Sequence, residues 1–149
     1  MNVTLAHVGS PFTASDPFQV LTVRYLERCS ALVKAKAETF KTEEAFFAWL
    51  ERHRTRTPIL PVLLDSHGKI MSSESFAAWL GAHRQEGVQH IVFAIGPADG
   101  WSADALLRAK MVLSLGPFTL AHAVARVVLA EQLYRACAIL TGHPYHSGH

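Results

Sequence analysis

A few groups of side chains in this 149-residue sequence have the types and spacing to do chemistry. His122 and Arg126 lie one helical turn apart. They could point at one site, or form a pair at the surface or between subunits. Glu131 and Arg135 repeat the spacing, and there an intrahelical ion pair is the favoured reading. His143, His146 and His149 sit three apart at the C-terminus. A zinc site is conceivable, but Gly142 and Pro144 interrupt the segment and no thiolate joins it; a recognition tail without metal is favoured. Asp65 and Asp99 fall at strand ends and could be acids, although Asp99 within Pro-Ala-Asp-Gly reads first as a turn residue. The glycine-rich loops that usually cradle phosphates are missing, as is a G-x-S-x-G elbow.

The elements that must position these residues are legible in the chain. Met111 to His146 reads as a short buried strand, a tight loop and one long helix from Thr119 or Leu120 to Thr141, stopped by Gly142 with Pro144 beyond. At about 100° per residue, His122, Arg126, Leu129, Leu133 and Leu140 share one side. Val124, Val128, Glu131, Arg135 and Ala138 share the other. A helix apolar all round must be covered all round; its own domain on one side and a second subunit on the other is the favoured reading, a central core helix of a monomer the alternative. Upstream, Val3 to Val8 is a strand. Asp16 and Pro17 open a helix predicted to run to Lys34, followed by a possible strand at Ala35 to Phe40. Thr42 caps a second helix, with Glu43 and Glu44 in its first turn. Pro58 to Leu64 is a strand, Ser66 to Met71 a loop, and Ser72 caps a helix that ends by Gly87. Ile91 to Ile95 and Met111 to Leu115 are further strands, separated by the turn Gly96 to Gly100 and a short helix capped by Ser102.

Apolar strands alternating with helices mean a mostly parallel sheet buried on both faces, in one domain over residues 1–149. Ligands of such sheets bind outside the carboxyl ends of the strands. That rule selects Leu64 to Ser66, Gly96 to Gly100 and Leu115 to Leu120, where small residues let a ligand approach the backbone. A flavodoxin-like module also fits this pattern.

Half of the residues are hydrophobic and the formal net charge is +2, which permits a nucleic-acid partner without requiring one. Cys29 and Cys137 both lie in apolar patterns and read as buried thiols of a reducing compartment. No apolar run approaches the ~18–20 residues that span a bilayer, and the opening residues do not resemble a signal peptide, so the expected location is the cytoplasm.

The stretches LLDSHGKIMSSESFAAWL, FAIGPADGWS and LSLGPFTLAHAVARVVLAEQLYRACAILTGHPYH, over Leu63 to His146, resemble the SPOUT-superfamily methyltransferases. Within them they resemble the small RlmH family, which methylates a pseudouridine of large-subunit ribosomal RNA. The resemblance implies a parallel sheet with a C-terminal trefoil knot, an exception to the usual rules of connection. It implies S-adenosylmethionine as cofactor, held at Leu64, Gly96, Leu115, Gly116, Pro117, Phe118, Thr119 and Leu120, with no metal. It implies a homodimer with composite sites that acts on the ribosome, and no DNA or membrane partner. Its reaction at ring nitrogen 3 needs a proton acceptor, for which His122, His146 and Glu131 are candidates. Arg126 and Arg135 could hold phosphate or developing negative charge, and Tyr145 could stack on the base. A tRNA substrate, or RNA binding without catalysis, are the alternatives. This chain departs from the family pattern at Pro97, where a second glycine is usual, at Ala121 in place of proline, and at Ser147 to His149, where a basic residue is usual.

Overall fold

Local chemistry starts the helices where expected. Asp16 Oδ1 accepts the Phe18 N–H at 2.8 Å, with Pro17 in the first turn. Thr42, Ser72 and Ser102 each accept the amide three residues on through their hydroxyls. The computed structural model describes residues 1–147. Their order is β1 Asn2–Val8, α1 Pro17–Arg28, a 3-10 turn at Cys29–Ala31, β2 Lys34–Phe40, α2 Glu43–Arg54 and β3 Ile59–Ile70. There follow α3 Ser73–Gln85, β4 His90–Ile95, α4 Ala103–Arg108, β5 Met111–Ser114, α5 His122–Thr141 and a 3-10 turn at Pro144–His146.

The strands form one sheet in the order β2-β1-β4-β3-β5, every described pairing parallel. Alternate residues of β1 go to opposite faces. Val3 and Leu5 pack with α1, α3 and α5, while Ala6 and Val8 pack with α2 and α4 around Phe46, Trp49 and Trp101. Burial on both faces is why the inner strands β1 and β4 lack polar alternation, whereas the edge strand β2 alternates Lys and Ala. α5 packs against both α1 and α3. It approaches α3 so closely that a Cβ on Gly81 would lie 2.8 Å from Leu140 Cδ2.

Three expected boundaries differ. α1 stops at Arg28 rather than Lys34. Lys34 is already paired with Asn2, so β1 claims the chain for β2, and Cys29 and Val33 bury through a 3-10 turn instead of more helix. α5 begins at His122, later than Thr119 or Leu120, with Ala121 offering no side-chain cap. The expected loop Ser66 to Met71 is partly strand. Leu64 and Lys69 both face Leu113, so residues 65–68 leave the ladder and the strand then resumes.

At that excursion Gly68 lies directly on the β5 backbone. A Cβ there would be 2.7 Å from the Val112 carbonyl carbon and oxygen and 2.8 Å from the Leu113 carbonyl carbon. Backbone cannot yield as a flexible side chain can. Gly68→Ala is expected to destabilise the protein by about 1–3 kcal/mol in urea denaturation, against no more than about 0.5 kcal/mol for Ser66→Ala on the exposed side of the same excursion.

Candidate functional site

At the carboxyl end of β5 the chain turns sharply. The buried Ser114 hydroxyl accepts the Gly116 N–H at 3.1 Å and donates to the Gly116 carbonyl at 3.0 Å. Gly116 has φ +120°, a conformation that L side chains rarely adopt. This turn forms one wall of a groove of about 240 Å³. Met71 and Phe76 from α3 and its approach, Leu113 from β5, Leu115 just beyond it, and Val128 from α5 make it largely apolar. Ser72, Ser73 and Gln132 place polar groups at its edge, with Ser73 Oγ donating to Gln132 Oε1 at 2.7 Å.

Gln132 leads from this groove to a hydrogen-bonded network. Its amide donates to Glu131 Oε2 at 2.8 Å. Glu131 Oε1 accepts from Arg135 Nη2 at 2.6 Å, Arg135 Nε at 3.0 Å and the Tyr145 hydroxyl at 2.9 Å. Arg135 Nη1 lies 3.0 Å from His146 Nδ1, and His146 Nε2 lies 2.8 Å from Glu74 Oε1. A guanidinium can only donate, so Nδ1 accepts and Nε2 carries the hydrogen directed at Glu74. His146 thus has no free lone pair. The same contact holds the Glu74 carboxyl below its ordinary range. Burial, followed by the bond to Glu131, pushes the Tyr145 phenol up to about 12, so it is a hydrogen-bond donor at neutral pH. Glu131 fills both oxygens as the structural partner of Arg135.

His122 and Arg126 belong to a different cluster, at the amino end of α5. Arg126 is 2% exposed, so the surface-pair reading is set aside. Its Nη2 donates to Gln19 Oε1 at 2.7 Å, and its guanidinium lies 4.2 Å from the Phe12 ring centroid. Burial pulls its pKa down, against the opposing charge of Asp16. Beside it is His7, which the sequence reading passed over. Its ring meets His122 edge-on at 5.7 Å and Phe12 at 5.3 Å. Burial, then the Arg126 charge, then His122, hold the His7 pKa down to about 4. A histidine sharing the side of Val3 and Leu5 in VTLAHV was the available signal for a buried imidazole under α5.

The remaining expected site residues divide. Leu115 and Gly116 line the groove; Leu64 and Gly96 do not. The Trp101 indole donates to the Leu64 carbonyl at 3.1 Å and lies where a Cβ on Gly96 would stand. Pro117, Phe118 and Thr119 are exposed, Phe118 at 83%, and Leu120 is half-buried. Pro97 is accommodated: its carbonyl accepts the Gly100 N–H at 2.8 Å, and neither Gly96 nor Pro97 needs a positive φ. Asp65 accepts the His67 N–H at 2.9 Å as a turn residue. His143 caps the Tyr145 amide, far in role from a ligand set with His146, and His149 lies outside the described residues.

With this geometry in view, the chain matches the family model described as "Predicted SPOUT methyltransferase" over residues 1–146. It is 49% identical to a Ribosomal RNA large subunit methyltransferase H of Koribacter versatilis over 149 residues, covering 100% of both chains. It is 39% identical to a protein of that name from Agrobacterium fabrum over 163 residues, covering 98% of this chain and 99% of that one. The SpoU methyltransferase AviRb from Streptomyces viridochromogenes, solved in complex with AdoMet, overlays with TM-score 0.47 and 16% identity, covering 95% of this chain and 61% of that one.

The low pKa of His7 has a stability consequence whose sign is fixed. Below its unfolded value of about 6.5 the unfolded chain binds a proton that the folded chain refuses down to about 4. Stability contributed by the neutral buried ring is therefore complete above pH 6.5 and falls as pH drops through that window, by about 3 kcal/mol in all. His7→Phe, similar in volume, is expected to flatten the dependence between pH 6.5 and 4. Urea denaturation at several pH values checks this, and parallel slopes for both proteins would reject it.

Proposed function

The chain belongs to the SPOUT methyltransferase family, and on that premise we propose that it methylates ring nitrogen 3 of a pseudouridine in large-subunit ribosomal RNA, using S-adenosylmethionine. The observation that carries this reading is the groove at Leu115 and Gly116, joined through Gln132 and Glu131 to Tyr145 and His146. The residues present fit the cofactor. Apolar walls from Leu113, Leu115 and Phe76 suit an adenine ring, and the hydroxyls of Ser72 and Ser73 suit its polar groups. When bound, S-adenosylmethionine supplies an electrophilic methyl group on sulfur. Leu64, Gly96 and Pro117 to Leu120 are assigned to the cofactor side by family likeness. The trefoil knot is likewise assigned by family likeness alone.

The protein's own work is to orient the base, exclude water and receive the proton from ring nitrogen 3. Tyr145 is committed to Glu131 and His146 to Arg135 and Glu74, so they hold the tail beside the groove and present their ring faces to the RNA. His122 is the remaining candidate to accept the proton. Arg126, one turn on and almost fully buried, acts behind His122 through the local field rather than by touching RNA. We assign the active form as a homodimer in the cytoplasm. Val124 on the outer side of α5 is 36% exposed, while Phe18 and Leu21 on α1 are 40% and 39% exposed. A second copy is the natural cover for these apolar side chains.

Tritiated methyl transfer to ribosomes, to deproteinised rRNA and to tRNA in parallel tests the substrate. Labelling of large-subunit RNA in intact ribosomes is expected, and labelling of tRNA alone would overturn the assignment. His122→Ala is expected to lower kcat about 10²-fold or more with cofactor affinity unchanged. Gly116→Val is expected to abolish cofactor binding in calorimetry, because its backbone cannot hold φ +120° with a branched side chain, while sedimentation still reports a dimer. A stable folded monomer of wild type at micromolar concentration would remove the dimer from the proposal.

A further inference from the structure

At the opposite end of the sheet, the start of β3 and the last turns of α2 and α4 enclose a groove of about 340 Å³. Its floor is apolar, with Phe47, Leu50 and Ile59. Its rim carries Arg54, Arg108 and Lys110, and Glu51 is the single carboxylate among its lining residues. Arg54 and Arg52 at the end of α2 complement the helix dipole, which accounts for their presence there without any ligand. Arg108, in the last turn of α4, is accounted for in the same way, but Lys110, at the entry to β5, is not, and cations from three separate elements converge on the one groove. Arg108 lies flat over Phe47, with its guanidinium carbon 4.3 Å from the ring centroid. A guanidinium held this way keeps its N–H edge free for an anion. Arg54 is 76% exposed and touches Glu51 only at 3.6 Å, and Lys110 has no carboxylate within salt-bridge distance among the described residues.

We propose that this groove is a second ribosomal RNA contact, in which Arg54, Arg108 and Lys110 hold the phosphate backbone of an unpaired strand and the apolar floor receives one of its bases. Alternating charge and flat apolar surface is the pattern that a single strand matches, phosphate by phosphate and base by base. An acidic protein segment would use the cations but not the stacked floor. From Ile59 to Leu64, β3 covers roughly 17 Å at about 3.3 Å per residue, so this groove and the candidate active site engage different parts of one large partner. Clustering three cations in one groove gives a chain of net charge +2 a local affinity for a polyanion. The inference rests on the ribosomal reading given above.

The test compares wild type with Arg54→Glu/Lys110→Glu, both at exposed positions. Sedimentation with purified large ribosomal subunits measures binding without requiring turnover. The variant is expected to bind about tenfold more weakly or worse, with a log–log salt dependence shallower by about 0.7–0.9 for each phosphate that it no longer neutralises. Its calorimetric affinity for S-adenosylmethionine is expected to match wild type, which shows that the fold is intact. Equal binding and equal salt slopes would overturn the proposal. A photo-crosslinking amino acid in place of Leu107, 85% exposed beside Arg108, is expected to label ribosomal RNA; labelling of a ribosomal protein instead would overturn the choice of partner. Should wild type bind subunits yet transfer no methyl group, the methyltransferase reading falls while the binding comparison still decides the groove.

Discussion

Everything at the carboxyl end of this sheet depends on one close contact between two stretches of backbone, Gly68 against Val112 and Leu113. A side chain at that point would hold the segments apart. With none, residues 65–68 bulge out of the ladder while Gly68 stays against the β5 backbone, and Lys69 and Ile70 pair again with β5. The resumed pairing of Ile70 with Ser114 sets side by side the place where Met71 to Ser73 lead into α3 and the place where Ser114 to Gly116 leave the sheet. Those two departures are the walls of the candidate groove. α5 follows from the second of them, so the long helix and the tail that returns along it take their positions from the same contact.

The charges on α5 then sort themselves by where this geometry leaves them. Arg126 and His7 are buried together against Phe12, and burial acts on both in the direction that disfavours charge. Arg135, hydrogen-bonded to Glu131 and His146 and set over the Tyr145 ring, moves the other way, its pKa raised chiefly by the bond to Glu131. The two environments give the helix different roles along its length. Its amino end supplies a poorly hydrated field near His122, and its middle supplies a satisfied network that holds the tail against α3 through Glu74. Buried networks in which each member is bonded specify one arrangement, whereas partly satisfied clusters are where function concentrates.

The sequence by itself determined much of this. Four capping residues, Asp16, Thr42, Ser72 and Ser102, marked helix starts because their chemistry is local: one side-chain oxygen and an amide two or three residues away. Apolar runs located most of the strands, and their lack of alternation gave the parallel, doubly covered sheet. Glu131 and Arg135 were readable as a pair from their spacing, and the motifs from Leu63 onward were enough to reach the family. Tertiary structure decided what depends on partners distant in the chain. Pairing of Lys34 with Asn2 ended α1 early, against helical propensity. The close approach of Gly68 to β5, with Lys69 and Ile70 pairing beyond it, made strand of an expected loop. Neither the clamp on His146 between Arg135 and Glu74 nor the burial of His7 beneath His122 leaves a trace in local spacing, since each needs neighbours far along the chain. Hydrogen bonds over two to four residues are written in the sequence as patterns; the lowered pKa of His7 and the hydrogen-bond partners of His146 are set by neighbours that only the fold brings near.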